Sequence, residues 1–358
     1  MNKKFIKNFI ITFFILIAST IVFNYNVDSL SIFKMKKELT DIAKGINQNK
    51  IIIGLSNSND RLLQKLIIEN QKKKVDYIAL GSSRIMYLQK EYFLKNNKKF
   101  FNHWVSGASI EDYLSIIALY LKTHNYLPKN ILIGIDPWIF NKNREKNNSD
   151  ILSVYSNFTM RLLKIKKMEN TPQNRYKELL NWEYTKENIK YLKNKLKNNN
   201  TIKIVTNPQF YDNYKNSDGS IHVKKFNLNQ NLIKHHITKL KNTYIPYIDR
   251  FTKINNKQIF EKFIFYLKEQ DVNVTFILLP YHPYFYDFIE KDSRYSIVND
   301  VEKYINKYAK QNHIQVYGSY NPYKFNFTEK YFLDEMHGID LVIKKIILKY
   351  KQKDNSVI

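Results

Sequence analysis

Residues 75–86, with the sequence VDYIALGSSRIM, contain an apolar, partly β-branched run that is followed at once by a glycine and two serines. Residues 77–80 have the composition of a short buried strand, and residues 84–87 suit a helix. Gly81 permits a sharp bend between them, and a helix that begins after Ser83 would direct free backbone N–H groups towards whatever the hydroxyl attacks. Ser83 therefore has two interpretations: an ordinary helix N-cap, or a nucleophile.

Four similar apolar runs follow later in the chain. Ser109, with Asp112 three residues later, resembles the capping box that opens a helix after the first of them. Strands that alternate with helices favour an α/β fold with a parallel sheet, in which ligand sites lie at the carboxyl ends of the strands. The turn at Ser83 is then predicted to share one sheet edge with the other turns. The runs occupy residues 100–101, 131–135, 272–279 and 314–317.

The composition limits the classes of function. The chain has 358 residues, a formal net charge of +26 and no cysteine, which excludes thiolate metal sites and cysteine nucleophiles. Such a charge permits nucleic acid, acidic lipid or acidic glycan as a partner. However, the excess is lysine spread along the chain, and no nucleic-acid motif stands out. Neither do metal-ligand spacings or phosphate-binding glycine loops, so we predict no nucleic-acid partner, no metal and no cofactor.

The N-terminus has the pattern of a membrane segment. Lysines at positions 3, 4 and 7 precede an uncharged apolar run at residues 9–23, close to the ~20 residues that cross a bilayer. Basic residues in front of the run favour a cytoplasmic N-terminus and an outward-facing remainder. A cleaved signal peptide is the alternative, since residues 18–20 are small, but no good cleavage site follows. We therefore predict a single-pass protein of the cytoplasmic membrane, with its globular domain on the extracytoplasmic side.

Domain boundaries follow from where these patterns change. Residues 1–8 are predicted to be cytoplasmic, 9–25 a transmembrane signal anchor and 26–74 a stalk with lead-in helices. Residues 75–140 and 257–358 would form the two halves of the α/β core. Between them, at 141–256, the composition becomes rich in Lys, Asn and Tyr, which indicates a mainly helical inserted cap. Such an insertion either selects the substrate or is a passive surface elaboration.

A histidine and an aspartate near the C-terminus match the serine. A serine hydroxyl needs an imidazole to take its proton, and a carboxylate fixes the tautomer of that imidazole. Asp334 and His337 are three residues apart, after the last predicted strand and at the same sheet edge as Ser83. His337 followed by Gly338 is also compatible with a plain loop end. The presence of Asp334 and the Ser83 turn favours a catalytic triad.

Together these segments resemble the SGNH (GDSL-like) hydrolase superfamily over residues 75–136 and 272–348. Gly81-Ser82-Ser83 resembles its first block, with Ser83 as nucleophile, and Gly107 resembles its glycine block. Gly134-Ile135-Asp136 falls where Gly-x-Asn is usual, and residues 334–337 resemble the final Asp-x-x-His. The resemblance implies a three-layer α/β/α, flavodoxin-like domain with a parallel sheet. It also implies an oxyanion hole formed by the Ser83 and Gly107 N–H groups.

Within that superfamily, an N-terminal anchor with an outward-facing domain is most similar to membrane-bound members that act on cell-envelope polymers. These include DltD-like proteins of teichoic acid D-alanylation and the proteins of alginate or peptidoglycan O-acetylation. The resemblance implies acyl transfer to or from a hydroxyl of a cell-envelope polysaccharide, with a membrane-bound O-acyltransferase as partner. The alternatives are a carbohydrate esterase that uses water and a non-catalytic glycan-binding or scaffold subunit.

Five further residues are candidates for substrate binding. Asp136 stands where the superfamily has an asparagine donor, and an ionised carboxylate there would repel an oxyanion, so Asp136 either slows the site or grips a sugar hydroxyl. Asn102 would add a donor. Arg84 would meet an anionic polymer or form a salt bridge, and His282 would contact substrate or pack in the site wall. Trp138 would stack on a sugar ring or pack in the core.

Overall fold

The protein is an α/β protein built around a parallel five-stranded sheet. The structure, a computed structural model, describes residues 3–34, 37–55, 59–92, 98–141, 150–165, 175–196, 202–226, 228–240, 243, 245, 247–249, 251 and 253–354. The strands are β1 (Ile51–Ile53), β2 (Tyr77–Gly81), β3 (Phe100–Trp104), β4 (Asn130–Gly134), β5 (Lys203–Val205), β6 (Asn213–Lys215), β7 (Ile221–Val223), β8 (Asn273–Leu278) and β9 (Gln315–Gly318).

Eleven α-helices are present in the described residues. They are α1 (Lys3–Val27), α2 (Lys37–Asn47), α3 (Asp60–Glu69), α4 (Ile110–His124), α5 (Asp150–Leu162), α6 (Trp182–Leu196), α7 (Gln230–Leu240), α8 (Lys257–Glu269), α9 (Pro283–Lys291), α10 (Ile297–Gln311) and α11 (Asp340–Asp354). The capping box at Ser109 is confirmed, because the Asp112 carboxylate accepts the Ser109 N–H at 2.8 Å as α4 begins.

The main sheet has the order β3-β2-β4-β8-β9, with every pair parallel. All five strands predicted from apolar runs are present, and β3 is longer than its two-residue signal because it also contains Asn102, His103 and Trp104. Their side chains are polar or amphipathic, yet Asn102 and His103 are fully buried and hydrogen-bonded. Because the strands are parallel, their carboxyl ends share one edge, and that edge carries the site.

Alternate residues of β2 enter two separate apolar cores, one on each face of the sheet. Ile78 and Leu80 belong to the larger core, which includes buried side chains of α2, α3, α4, α8 and α10. Ala79 belongs to the smaller core, which α11 covers with Val342, Ile343 and Ile346. The sheet is thus buried on both faces, as the continuous apolar runs predict for a parallel sheet.

The prediction of a helix after Ser83 is wrong. Only a single 3₁₀ turn, Ser83–Ile85, follows β2. The Asn102 side-chain amide donates to the carbonyls of Ile85 at 2.8 Å and Leu88 at 3.1 Å, so these carbonyls bond to a side chain of the neighbouring strand. A helix dipole therefore contributes nothing to Ser83, since three residues make no aligned macrodipole.

The segment 26–74 differs from the predicted stalk. Leu39, Ile42 and Ile46 of α2, with Leu62 and Leu63 of α3, are buried in the larger core. Moreover, β1 pairs with β5 and β6 of the insertion in a second, antiparallel sheet of order β5-β1-β6-β7. The helical spacing of these apolar residues indicated helices correctly, but their apolar faces pack on the sheet domain. The insertion at 141–256 is accordingly a mixture of helices and strands.

Helix α1 is long and apolar enough to cross a membrane. It has 25 residues and a mean hydropathy of 2.1 over its most apolar window, and none of that window is buried. At 1.5 Å per residue its length is ~38 Å, against a hydrocarbon layer of ~30 Å. Its C-terminal end, at Asn24, is buried against the insertion.

Candidate active site

The hydroxyl of Ser83 lies on the turn that follows β2. Ser82, the residue before it, is the N-cap of the turn: its Oγ accepts the Arg84 N–H at 3.1 Å. Ser83 is therefore the first residue inside the turn, and its Oγ is 2.8 Å from Nε2 of His337. The capping role that the sequence allowed for Ser83 belongs to Ser82, and the Ser83 hydroxyl is left to hydrogen-bond the imidazole.

Asp334 orients His337 through a tight turn. The His337 Nδ1 atom is 2.8 Å from Oδ2 of Asp334 and 3.0 Å from its Oδ1. Oδ1 also accepts the backbone N–H groups of Met336 at 2.9 Å and His337 at 2.7 Å, which closes the turn. Burial favours the neutral carboxyl, but His337 and these N–H donors outweigh it and lower the pKa of Asp334. An ionised Asp334 favours the tautomer with a proton on Nδ1, which leaves Nε2 as an acceptor for the Ser83 hydroxyl.

The triad is accessible. The side chains of His337 and Asp334 are 23% and 38% exposed, and Ser83 is half-buried. An acyl group can therefore approach the hydroxyl from solvent. The geometry is that of a general base within hydrogen-bond reach of a nucleophile and oriented by a third group.

Arg84 hydrogen-bonds the turn formed by residues 334–337, which we name the triad turn. Its buried guanidinium donates to Oδ1 of Asp136 at 3.0 Å and, through Nε, to the carbonyl of Met336 at 3.0 Å. It also donates to the carbonyls of Leu279 and Pro280 at the end of β8. One side chain thus joins the ends of β4 and β8 to the backbone between Asp334 and His337.

The surroundings of Arg84 keep it charged. Burial opposes the charge, but the rings of Tyr281 and Tyr320, at 4.2 and 5.9 Å, and the carboxylate of Asp136 outweigh it and raise the pKa of Arg84. Asp136 therefore has a salt-bridge partner, and its carboxylate is compensated by a cation. The sequence signal for this role was weak, because an arginine after a Gly-Ser-Ser turn looks like an ordinary surface residue.

The two residues predicted to form an oxyanion hole, Ser83 and Gly107, lie on the turn after β2 and in the loop after β3. The Ser83 N–H has no hydrogen-bond acceptor within the described part of the chain. Gly107 lies in the loop after β3 with φ +54°, a conformation that favours glycine. That loop is tied to β2, because Val105 N–H donates to the Gly81 carbonyl at 3.1 Å.

The five residues predicted as substrate contacts are buried, and each is hydrogen-bonded within the protein. Exposure is 0% for Asn102 and His282 and 3–4% for Asp136, Trp138 and Arg84. Asn102 bonds the turn after Ser83, as described above. Trp138 Nε1 donates to the Ala108 carbonyl at 3.0 Å, beside Gly107. These side chains hold the loops of the site in place, whereas Ser83, His337 and Asp334 face solvent.

His282 opens α9 rather than lining a cleft. Its Nδ1 accepts the Tyr284 N–H at 3.1 Å, and its backbone N–H donates to the Glu335 carbonyl at 3.0 Å, inside the triad turn. Its Nε2 is 3.3 Å from Oε1 of Gln230, a residue of the insertion. Burial lowers the pKa of His282 to about 4, so the ring is neutral at neutral pH.

Helix α7 of the insertion lies beside the triad turn, which no motif predicted. Gln230 Nε2 donates to the Phe332 carbonyl at 3.4 Å, and Lys234 pairs with Glu329 at 2.9 Å. His236 lies 3.6 Å from Glu335, whose pKa is raised by burial and by the neighbouring Asp334. No local pattern places α7 there, because its partners are about a hundred residues away in sequence.

Comparison of the sequence with protein-family models finds no match, and neither does comparison with curated proteins. The resemblance to SGNH hydrolases is therefore carried by the residues of this chain alone, and the candidate function is argued from the geometry of Ser83, His337 and Asp334.

Proposed function

We propose that this protein is a membrane-anchored, SGNH-like acyl transferase or esterase that acts on ester-linked acyl groups of a cell-envelope polysaccharide. One observation carries the proposal: an accessible serine hydroxyl is 2.8 Å from an imidazole whose other nitrogen is 2.8 Å from a carboxylate. This arrangement activates serine for acyl transfer.

In the proposed reaction, Ser83 Oγ attacks the carbonyl carbon of the ester while Nε2 of His337 takes the hydroxyl proton. The Ser83 and Gly107 N–H groups donate to the oxyanion of the tetrahedral intermediate. Collapse breaks the bond to the leaving oxygen, which receives the proton from His337, and Ser83 is left acylated. A glycan hydroxyl or water then attacks the acyl-enzyme by the same steps in reverse, giving a transferred acyl group or a free acid.

The strand order and the two-sided burial of the sheet support a three-layer SGNH architecture. In sequence order the five strands run 2-1-3-4-5, which is the flavodoxin-like arrangement, and its ligands bind at the carboxyl ends of the strands. The triad and Gly107 all follow strands at that edge. Helix α1, with the lysines in front of it, supports an envelope location, where the substrates of the resembled enzymes occur.

The charge on Asp136 was an argument for a non-catalytic protein, and the salt bridge to Arg84 weakens that argument. The sequence raised that alternative because a carboxylate near the oxyanion would oppose catalysis. In the structure the carboxylate is held by Arg84. The departure from the usual asparagine leaves a two-donor hole, and the missing donor is typically worth about a hundredfold to a thousandfold in rate. A slow, specialised transferase fits this arrangement.

A serine-directed fluorophosphonate probe tests the proposal on the full-length protein in detergent micelles. We expect wild type to be labelled, Ser83→Ala to lose labelling, and Ser106→Ala, an exposed serine on the Gly107 loop, to retain it. Absence of labelling in folded wild type would refute the nucleophile. Where labelling is found, an added polysaccharide acceptor that outcompetes water for the acyl group identifies a transferase, and free acid as the main product identifies an esterase.

A further inference from the structure

The outer end of α1 is fastened to the insertion by buried polar contacts. Asn24 comes directly after the apolar run and is fully buried. Its side-chain amide donates to the Leu179 carbonyl at 2.9 Å and to Thr185 Oγ1 at 2.8 Å, and its Oδ1 accepts from Asn188 at 2.9 Å. These partners fix the 3₁₀ turn Arg175–Leu180 and the start of α6 at the level where the apolar run of α1 ends.

This part of the insertion exposes large apolar side chains. Trp182 is 67% exposed, Leu180 57% and Tyr176 56%, although they belong to the 3₁₀ turn and to α6, both of which contact α1. Exposed tryptophan, tyrosine and leucine at one place are costly in water, since each leaves apolar area unburied. We name Tyr176, Leu180 and Trp182 the interfacial cluster. Their exposed apolar area favours contact with an apolar partner.

The position of the interfacial cluster next to α1 indicates which partner covers it. Tyr25 of α1 is 5.6 Å from the Phe33 ring, which in turn is 6.1 Å from Tyr176, so aromatic rings continue from the helix end into the cluster. Lys34 lies 4.2 Å from the Tyr25 ring, and the exposed Arg175 lies 5.4 Å from the Tyr176 ring. Aromatic side chains beside basic ones, at the level where an apolar span ends, are typical of residues in the lipid headgroup region.

We propose that the interfacial cluster inserts into the outer headgroup layer of the membrane that α1 crosses, as a second contact of the extracytoplasmic domain with the bilayer. Trp182 and Tyr176 place their rings among the headgroups, Leu180 reaches the acyl boundary, and Arg175 and Lys177 lie near lipid phosphates. A single helix leaves a domain free to tilt and rotate, whereas a helix with a lateral contact holds it in one orientation. The inference rests on the proposed membrane anchoring of α1.

Tryptophan fluorescence in vesicles tests the contact on the full-length protein. Trp182 is the exposed tryptophan, whereas Trp138 is 3% exposed and Trp104 is half-buried in β3. Phosphatidylcholine–phosphatidylglycerol vesicles with brominated acyl chains quench tryptophan that reaches the bilayer. We expect quenching in wild type that is stronger with bromine near the headgroup than near the chain end. Trp182→Phe should remove most of it.

A control variant places the exposed tryptophan on another part of the protein. Trp182→Phe combined with Phe265→Trp places an equally exposed tryptophan on α8 of the sheet domain, and we expect it to remain unquenched. Quenching that persists in Trp182→Phe, or protein that floats with the vesicles without quenching, overturns the contact. Protein that does not float at all overturns it too, by removing the anchor. Fluorophosphonate labelling of Ser83 in the same vesicles reports on the proposed chemistry separately, because the cluster is not part of the triad.

Discussion

At the scale of single residues, the proposed chemistry depends on the distinction between Ser82 and Ser83. The two are adjacent and chemically identical, yet Ser82 is fully buried and caps the turn, whereas Ser83 is bonded to His337. The difference arises because the 3₁₀ turn begins at Ser83 and directs successive side chains to different sides. The proposed nucleophile is thus distinguished from its neighbour by the backbone of one turn and by its contact with His337.

Asp334→Asn should lower the rate of acyl transfer by about ten-thousandfold, because an amide no longer fixes the Nδ1–H tautomer of His337. The side-chain oxygen of the introduced amide still accepts the N–H groups that close the turn, so folding should be retained. The rate of fluorophosphonate labelling or of ester cleavage measures the effect. The neighbouring Glu335→Gln serves as the control and should stay within a fewfold of wild type. Equal rates in both variants would contradict the orienting role of Asp334.

Arg84→Met should destabilise the protein by about 3–5 kcal/mol, since it leaves Asp136 as an uncompensated buried charge. Combining it with Asp136→Leu removes that charge, so the double variant should lose less than the sum of the single losses. Urea midpoints in detergent micelles measure the free energies of unfolding. Strictly additive losses would indicate that the ion pair contributes nothing beyond its separate members.

At the scale of elements, the hairpin β6–β7 of the insertion covers the edge strand β3. The Asn102 N–H donates to the Asp218 carbonyl at 2.7 Å, and Trp104 Nε1 donates to the Gly219 carbonyl at 2.9 Å. On the other side, Ile221 N–H donates to the Met86 carbonyl at 2.8 Å, just beyond the Ser82–Ser83 turn. Such a cover satisfies an edge that would otherwise expose unpaired backbone groups. The insertion therefore supports the segment that follows the Ser83 turn, and through α7 it flanks Asp334 and His337.

Gly219→Ala should detach this hairpin. Gly219 has φ +84°, and an added Cβ would lie 2.4 Å from the Asn102 carbonyl oxygen, a backbone atom that cannot move aside easily. We expect a loss of about 1–3 kcal/mol and a lower labelling rate of Ser83. Hydrogen exchange at Asn102 and Ile221 should increase, while exchange in β8 stays unchanged. Normal protection at both N–H groups would contradict the coupling of hairpin and strand.

At the scale of the whole molecule, buried neutral histidines make stability depend on pH. Burial, reinforced by the charge of Lys215, lowers the pKa of His103 to about 3, and burial lowers that of His282 to about 4. The unfolded chain titrates near the ordinary value of ~6.5, so between about pH 6.5 and 4 it binds protons that the folded chain excludes. Acidification through this window therefore destabilises the fold.

Each of these histidines should contribute up to ~1.4 kcal/mol per pH unit to that slope. In His103→Gln the slope of unfolding free energy against pH should be smaller by that amount, whatever the change in absolute stability. Urea unfolding in micelles at several pH values between about 4 and 7 measures it. A slope identical to wild type would show that His103 is protonated in the folded state.

The proposed orientation of the chain across a membrane is a second property of the whole molecule. A fusion of alkaline phosphatase to the C-terminus should be active and a fusion of green fluorescent protein dark, because basic residues in front of an apolar span, here lysines at positions 3, 4 and 7, favour a cytoplasmic N-terminus. Changing these three lysines to glutamate should reduce the phosphatase activity. A fluorescent fusion in the unchanged chain would reverse the proposed orientation.

Four features were predictable from the amino-acid sequence: the parallel α/β class, the five strands of the main sheet, the capping box at Ser109 and the apolar helix α1. These follow from local patterns, since apolar runs, glycine turns and caps act over a few residues. Ser83, Asp334 and His337 were also identifiable as candidates, because their chemistry requires those residue types after strands. The prediction of a helix after Ser83 was wrong. The carbonyls of Ile85 and Leu88 bond to the side chain of Asn102, which lies in another strand and is not visible to a local pattern.

The remaining roles depend on contacts between distant parts of the folded chain. Arg84 reaches Asp136 and Met336 across 52 and 252 positions, and Asn24 reaches Leu179 across 155, so no local pattern records these contacts. The placement of α2 and α3 is also absent from the local pattern. Their apolar faces are compatible with a stalk or with a core, and only the folded structure shows that they pack on the sheet. Burial and long-range pairing depend on the folded chain as a whole. For this reason the tertiary structure was needed to distinguish Ser83, Asp334 and His337 from the buried residues that support them.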